Sequence, residues 1–152
     1  MSRVLVNQNK VNPHVKCCHS KDISLADIFL KSMTVTINVH HIYHEPVENV
    51  AATHLAKYPN KYDPNVVSSN IVKNKLLSDG LRYTKRIAIC RNVLPHFLRT
   101  VPSLDVDNVE IEEECTWNRK TRTFLVSSQN LTWNSWVTMK ESSSYVPHEN
   151  KN

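Results

Sequence analysis

The sequence predicts an α+β fold: an antiparallel β-sheet with one helix in the N-terminal half and a short lid helix in the middle. Three observations predict it. Runs rich in β-branched residues follow one another through short, turn-forming connectors, which makes consecutive hairpins. One stretch, Pro46 to Tyr58, has apolar residues at helical steps. A Pro-led apolar turn, Leu94 to Val101, interrupts the strands.

In chain order, Val35, Ile37 and Val39 alternate with Thr34, Thr36 and Asn38, the period of a half-buried strand running to about Tyr43. Pro46 then suits a helix start, where its missing N–H costs nothing. Val47, Val50, Ala51, Leu55 and Tyr58 form the stripe that faces a core. The helix stops at a sharp corner, because Tyr58 precedes Pro59 and is biased away from the helical region, while Asn60, Asp63 and Pro64 supply turn chemistry. Lys57 falls in the last turn, near the negative end of the helix dipole, with its ammonium reaching past the end. Val66–Lys73 and Arg82–Cys90 read as a hairpin joined by residues 74–80. In the lid segment, Leu94, Phe97, Leu98 and Val101 cluster beside Arg91 and Arg99, and Pro102 closes it. Apolar side chains flanked by cations suit contact with a membrane interface and anionic head groups, and equally an ordinary helix packed on the sheet. Three further strands follow, near 109–117, 121–129 and 133–141.

At 152 residues and 40% apolar content the chain can bury one core. The domain reading is a loosely ordered extension over 1–32, a main domain over 33–142 and a disordered tail over 143–152. The formal charge of +5 is uneven: residues 1–32 carry five Lys or Arg against two Asp, leaving a nearly balanced body. Such a body argues against nucleic-acid binding and allows a local basic pocket. A single glycine, Gly80, excludes a glycine-rich phosphate cradle. No apolar run approaches the roughly 20 residues of a membrane span, so membrane contact is expected to be peripheral. The extension fits a mitochondrial presequence only in part, with Arg3 alone against Asp22 and Asp27, and Met33 is an alternative start.

Cys90 and Cys115 read as buried thiols, and Cys17 and Cys18 beside His14 and His19 as neighbours in a tail rather than a zinc frame. His40 and His41 point to opposite faces of a strand, so no metal is expected there, and no cofactor elsewhere. Alternation sends Glu113 inward and Glu112 and Glu114 outward, with a solvated strand face the favoured reading of the trio. Trp133 and Trp136 read as core or rim, and Asn130-Leu131-Thr132 is a glycosylation sequon of little weight. With no nucleophile, base and orienter at credible spacing, the chain is not expected to be an enzyme.

The order of elements, together with Lys57-Tyr58-Pro59-Asn60, Lys85 to Val93, Glu112-Glu113-Glu114, Leu131-Thr132-Trp133 and Met139-Lys140-Glu141, resembles the PRELI domain family of intramitochondrial phospholipid carriers. The resemblance runs from Met33 to about Ser142. It implies a PRELI/START-like fold, with a curved antiparallel sheet that encloses a lipid cavity together with a long C-terminal helix. It also implies non-enzymatic transfer of an anionic phospholipid, phosphatidic acid or phosphatidylserine, across the mitochondrial intermembrane space, aided by a small twin-cysteine helical helper protein. Lys57 matches the basic residue that lies near the phosphate, Arg91 is the second head-group candidate, Tyr58, Pro59 and Asn60 form the corner, and Leu94, Phe97 and Leu98 the lid. Two departures stand out. Lys61 occupies a position that is usually proline, and the sequence ends at Asn152, before the family's last strand and long helix. A truncated chain of this kind is expected to bind lipid poorly on its own. The alternative function is a regulatory or interaction form that binds the helper without carrying lipid.

Overall fold

The computed structural model describes residues 3–15, 36–77, 80–135 and 137–148, the first of these segments by its backbone alone. In chain order the described elements are β1 (Arg3–Val15), β2 (Thr36–Tyr43), α1 (Val47–Leu55), β3 (Val66–Leu76), β4 (Leu81–Arg91), α2 (His96–Arg99), β5 (Asn108–Asn118), β6 (Thr123–Asn130) and β7 (Val137–His148). The strands form one curved, unclosed antiparallel sheet in the order β2-β1-β7-β6-β5-β4-β3, so the fold class is the α+β one that the sequence predicts.

Both ends of the chain depart from the sequence reading. Arg3–Val15 lie in the stretch read as a loose extension, yet they form a strand inserted between β2 and β7, with Val6 opposite both His41 and Tyr145. A strand paired on both edges is held by main-chain hydrogen bonds, which a count of side chains to bury does not register. At the other end β7 runs on to His148, beyond the boundary drawn at residue 142. Cys17, Cys18 and Trp136 lie outside the described residues.

The helix forms where its apolar spacing places it. Pro46 stands one position earlier than expected, as N-cap, its carbonyl accepting from the N–H groups of Asn49 at 3.0 Å and Val50 at 3.2 Å. Val47 and Ala51 are buried, with Val50 and Leu55 packed beside them. The last helical residue is Leu55 rather than Tyr58, since a residue before proline is excluded from helical geometry and the chain tightens ahead of it. Glu48 in the first turn receives two hydrogen bonds from Arg122, at 2.7 and 3.0 Å, pinning the helix start to the β5–β6 turn.

This helix lies across β6 and β7, and Val47 and Ala51 complete a core with Cys115, Phe124, Val126 and Tyr145. Phe124 is wholly buried and meets the rings of His54, Trp117 and Tyr145 at centroid distances of 5.3, 6.4 and 5.5 Å. Away from α1 the sheet is open. The side chains of β2 are all exposed, including Ile42, Tyr43 and the two residues Ile37 and Val39 whose alternation reads as the buried side of a half-buried strand. Alternation specifies a face, while burial needs a layer above it, and among the described residues none covers β2. The opposite edge, β3, likewise exposes Val67, Ile71, Val72 and Leu76.

Side-chain charges fix the β4–β5 register on both faces. Arg86 stands opposite Glu113 on the inner face, and Lys85 reaches Glu112 at 2.7 Å and Glu114 at 3.2 Å on the outer one. A slip of one residue would exchange these faces and bury Lys85 beneath the helix. Hydrogen bonds from the same region shape the neighbouring loops. Asn130, expected as a sequon of little weight, is buried: its amide donates to the carbonyls of Thr132 and Val137 at 2.7 and 2.8 Å, and its oxygen accepts from Met139 N–H at 2.7 Å. In the fold it is a structural staple, closed to glycosylation.

Candidate functional site

The corner after α1 is built by Asn60. Its side-chain oxygen accepts from the N–H groups of Tyr62 at 2.7 Å and Asp63 at 3.0 Å, and its amide donates back to the Lys57 carbonyl. Local side-chain bonding of this kind replaces the helix ladder with a turn. The Tyr58–Pro59 bond within it is cis. Tyr58 donates to Asp63 at 3.2 Å, and burial together with that carboxylate pushes its phenol up to about 12. Its ring carries the Lys57 ammonium at 4.8 Å and the Arg86 guanidinium at 5.6 Å from the centroid. Lys61, the cation at the usual proline position, is exposed and rests on Tyr62, away from this cluster.

Beneath the corner lies a buried ionic cluster centred on Glu113. Arg86, only 4% exposed, pairs with its Oε1 and donates to the last carbonyls of α1, at 3.3 Å to His54 and 3.2 Å to Leu55. A guanidinium here satisfies orphan carbonyls at the negative end of the helix dipole. His54 Nε2 lies 3.1 Å from the same Oε1, and the Cys115 thiol donates to it at 3.3 Å. Lys57 donates to Oε2 at 3.5 Å. Burial alone would raise the Glu113 carboxyl, but the hydrogen bond from His54 and the charges of His54, Lys57 and Arg86 outweigh it and hold it down at about 2. The same burial, with Glu113 alongside, pushes the Cys115 thiol up to about 12.

His54, Glu113 and Cys115 bring one potential ligand atom each within 4.8 Å of one another. Their chemistry fits an ion network better than a metal cage: Arg86 already occupies the carboxylate, and a cysteine ligand would have to give up a strongly held proton.

Two cavities flank the cluster. One, of about 540 Å³, opens between α1 and the end of β2 and is bordered by Tyr43, Asn49 and Thr53 among others. The second, of about 250 Å³, lies over the inner face of the sheet against Val66, Ala88, Ile111 and Val126. His54, Lys57 and Tyr145 border both. Lys57 therefore stands in the wall that the cavities share, and at 29% side-chain exposure it is the most accessible of the three basic side chains around Glu113.

The structure brings together only part of the predicted site. Lys57, Tyr58 and Asn60 meet at the cluster, although Lys57 turns inward to Glu113 instead of reaching past the helix end. Arg91 is exposed at the end of β4 and borders neither cavity. Leu94, Phe97 and Leu98 border neither cavity either; Leu94 precedes α2 and the other two lie on it, in a β4–β5 connection closed by Asn92, whose amide donates to the carbonyls of Leu104 at 3.0 Å and Val106 at 2.7 Å. Phe97 is 69% exposed. The sequence reading missed Arg86 and His54, and it took Glu113 as part of a solvated face. The signal for Arg86 was present in the alternation of β4, which places it on the same face as Thr84 and Ala88, both buried. Cys90, read as buried, is only half-buried.

An open antiparallel sheet crossed by one helix, with Lys57 set between two cavities at the helix end, is an α+β domain. Comparison with known proteins gives its family. The model of the PRELI-like family matches residues 48–152. UPS-like protein C36.10 of Schizosaccharomyces pombe is 30% identical over 111 residues, which cover 71% of this chain and 58% of that relative. The chain belongs to the PRELI-like family, and it spans a little over half the length of this relative.

Proposed function

We propose that this protein binds an anionic phospholipid, such as phosphatidic acid or phosphatidylserine, and serves its non-enzymatic transfer in the mitochondrial intermembrane space. The observation that carries the reading is Lys57 in the shared wall of two cavities, at the end of a helix in a chain of the PRELI-like family. A phosphate entering either cavity meets this ammonium first, while Arg86 stays committed to the helix carbonyls and Glu113. The partners proposed with it are a small twin-cysteine helical helper protein and a membrane surface touched peripherally by α2 and the residues leading into it, where Phe97 and Val93 respectively are exposed. No step of bond making or breaking belongs to this function.

The test is binding of a soluble short-chain phosphatidic acid, measured by calorimetry on the whole chain. A charge-assisted hydrogen bond of about 1.5–3 kcal/mol is at stake, so Lys57→Glu is expected to weaken binding by roughly 10- to 100-fold. Short-chain phosphatidylcholine is expected to bind weakly and to be indifferent to the substitution. Equal binding of phosphatidic acid by both proteins would remove Lys57 from the site.

A further inference from the structure

We propose that Glu113 is an internal counter-anion that competes with the lipid phosphate for Lys57, and so sets how tightly and how selectively the site holds anionic head groups. This inference rests on the phospholipid reading above and concerns the same site.

The two oxygens of Glu113 are held unequally. Oε1 takes Arg86, His54 and the Cys115 thiol, whereas Lys57 approaches Oε2 at 3.5 Å, the longest of the contacts around the carboxylate. Arg86 and His54 are nearly buried, while Lys57 is partly exposed and ends a flexible four-carbon stem. Of the groups around Glu113, Lys57 is therefore the one that can leave at least cost, since the carboxylate keeps its other partners. Without a ligand, Glu113 holds the ammonium in the cavity wall and spares it from standing uncompensated. A phosphate must outbid this carboxylate, so a doubly charged phosphomonoester is favoured over a head group that carries its own cation, and release at an acceptor membrane is assisted when Glu113 recaptures Lys57.

The experiment compares calorimetric binding of short-chain phosphatidic acid and phosphatidylcholine to the wild-type chain, Glu113→Gln, Lys57→Met and the double variant. Glu113→Gln is expected to bind phosphatidic acid about ten-fold more tightly, the lower end of what one charge-assisted hydrogen bond discriminates. That gain is expected to vanish in the double variant, because no ammonium is left to be freed. An unchanged or weaker affinity in folded Glu113→Gln overturns the proposal, as does a gain that persists without Lys57. Should Glu113→Gln not fold, Glu113→Asp decides: it keeps the buried charge for Arg86 but withdraws it from Lys57, and a gain of a few-fold is expected where no change would overturn the idea. If the wild-type chain binds neither lipid, the phospholipid reading itself fails, which is a separate result from failure of the competition.

Discussion

Replacing Arg86 with methionine is expected to lower the unfolding free energy by about 3–5 kcal/mol, the usual consequence of removing one partner from a buried ion pair. The guanidinium is almost wholly enclosed and has two tasks at once, pairing with Glu113 and closing the last carbonyls of α1. Methionine fills the volume but leaves the carboxylate short of its strongest partner, takes the guanidinium donor from the Leu55 carbonyl, and leaves the His54 carbonyl with the Lys57 N–H at 3.4 Å. Urea denaturation should show the loss as a lower midpoint, and Arg86→Met combined with Glu113→Leu should recover a large part of it, because no unpaired charge then stays buried. The pH dependence follows from the direction of the Glu113 shift. Its carboxyl is held at about 2, below its ordinary value of 4.5. The stability that Glu113 contributes is therefore fully present above the ordinary value, and it is lost as pH falls through the lowered one. Wild-type protein should weaken over that acid range, whereas the double variant should lack this component.

Truncating Phe124 to alanine is expected to cost a similar about 3–5 kcal/mol, for a different reason. This ring sits with no exposed surface between α1 and the sheet, in contact with His54, Trp117 and Tyr145. Its loss leaves a void that the surrounding rings can fill only in part, and it undercuts the face on which Val47 and Ala51 rest. Calorimetric unfolding should show the drop in midpoint temperature. Phe124→Leu should cost much less, since it restores most of the apolar volume. Little change in Phe124→Ala would mean that α1 does not depend on this core.

The elements best read from sequence were those whose evidence is local. Val47, Val50, Ala51 and Leu55 announce α1 by spacing alone, Tyr58-Pro59-Asn60 announces the corner by its turn chemistry, and Pro95 opens α2 where it was expected. The ionic cluster was only half legible. Alternation pointed Glu113 inward, but its partner Arg86 stands opposite it only through the β4–β5 register, and His54 and Lys57 reach it from another element altogether. Nothing within a few residues of Glu113 reveals that Arg86, Lys57 and His54 converge there. Strand β1 was missed because its place depends on two partners distant in sequence, β2 and β7. Arg91 stands among the head-group candidates because it flanks the lid in sequence, and the strand delivers it to an exposed end apart from both cavities.

The central claim is that a lipid phosphate is met by Lys57, and NMR of the reductively dimethylated protein tests it most directly, because methylation keeps each lysine charged while giving it a resolved signal. Adding short-chain phosphatidic acid is expected to shift the Lys57 signal in a saturable way, as the ammonium leaves Glu113 for the phosphate, with Lys73 and Lys75 on the β3 edge unmoved. A Lys57 signal that stays in place while those edge lysines respond would contradict the account.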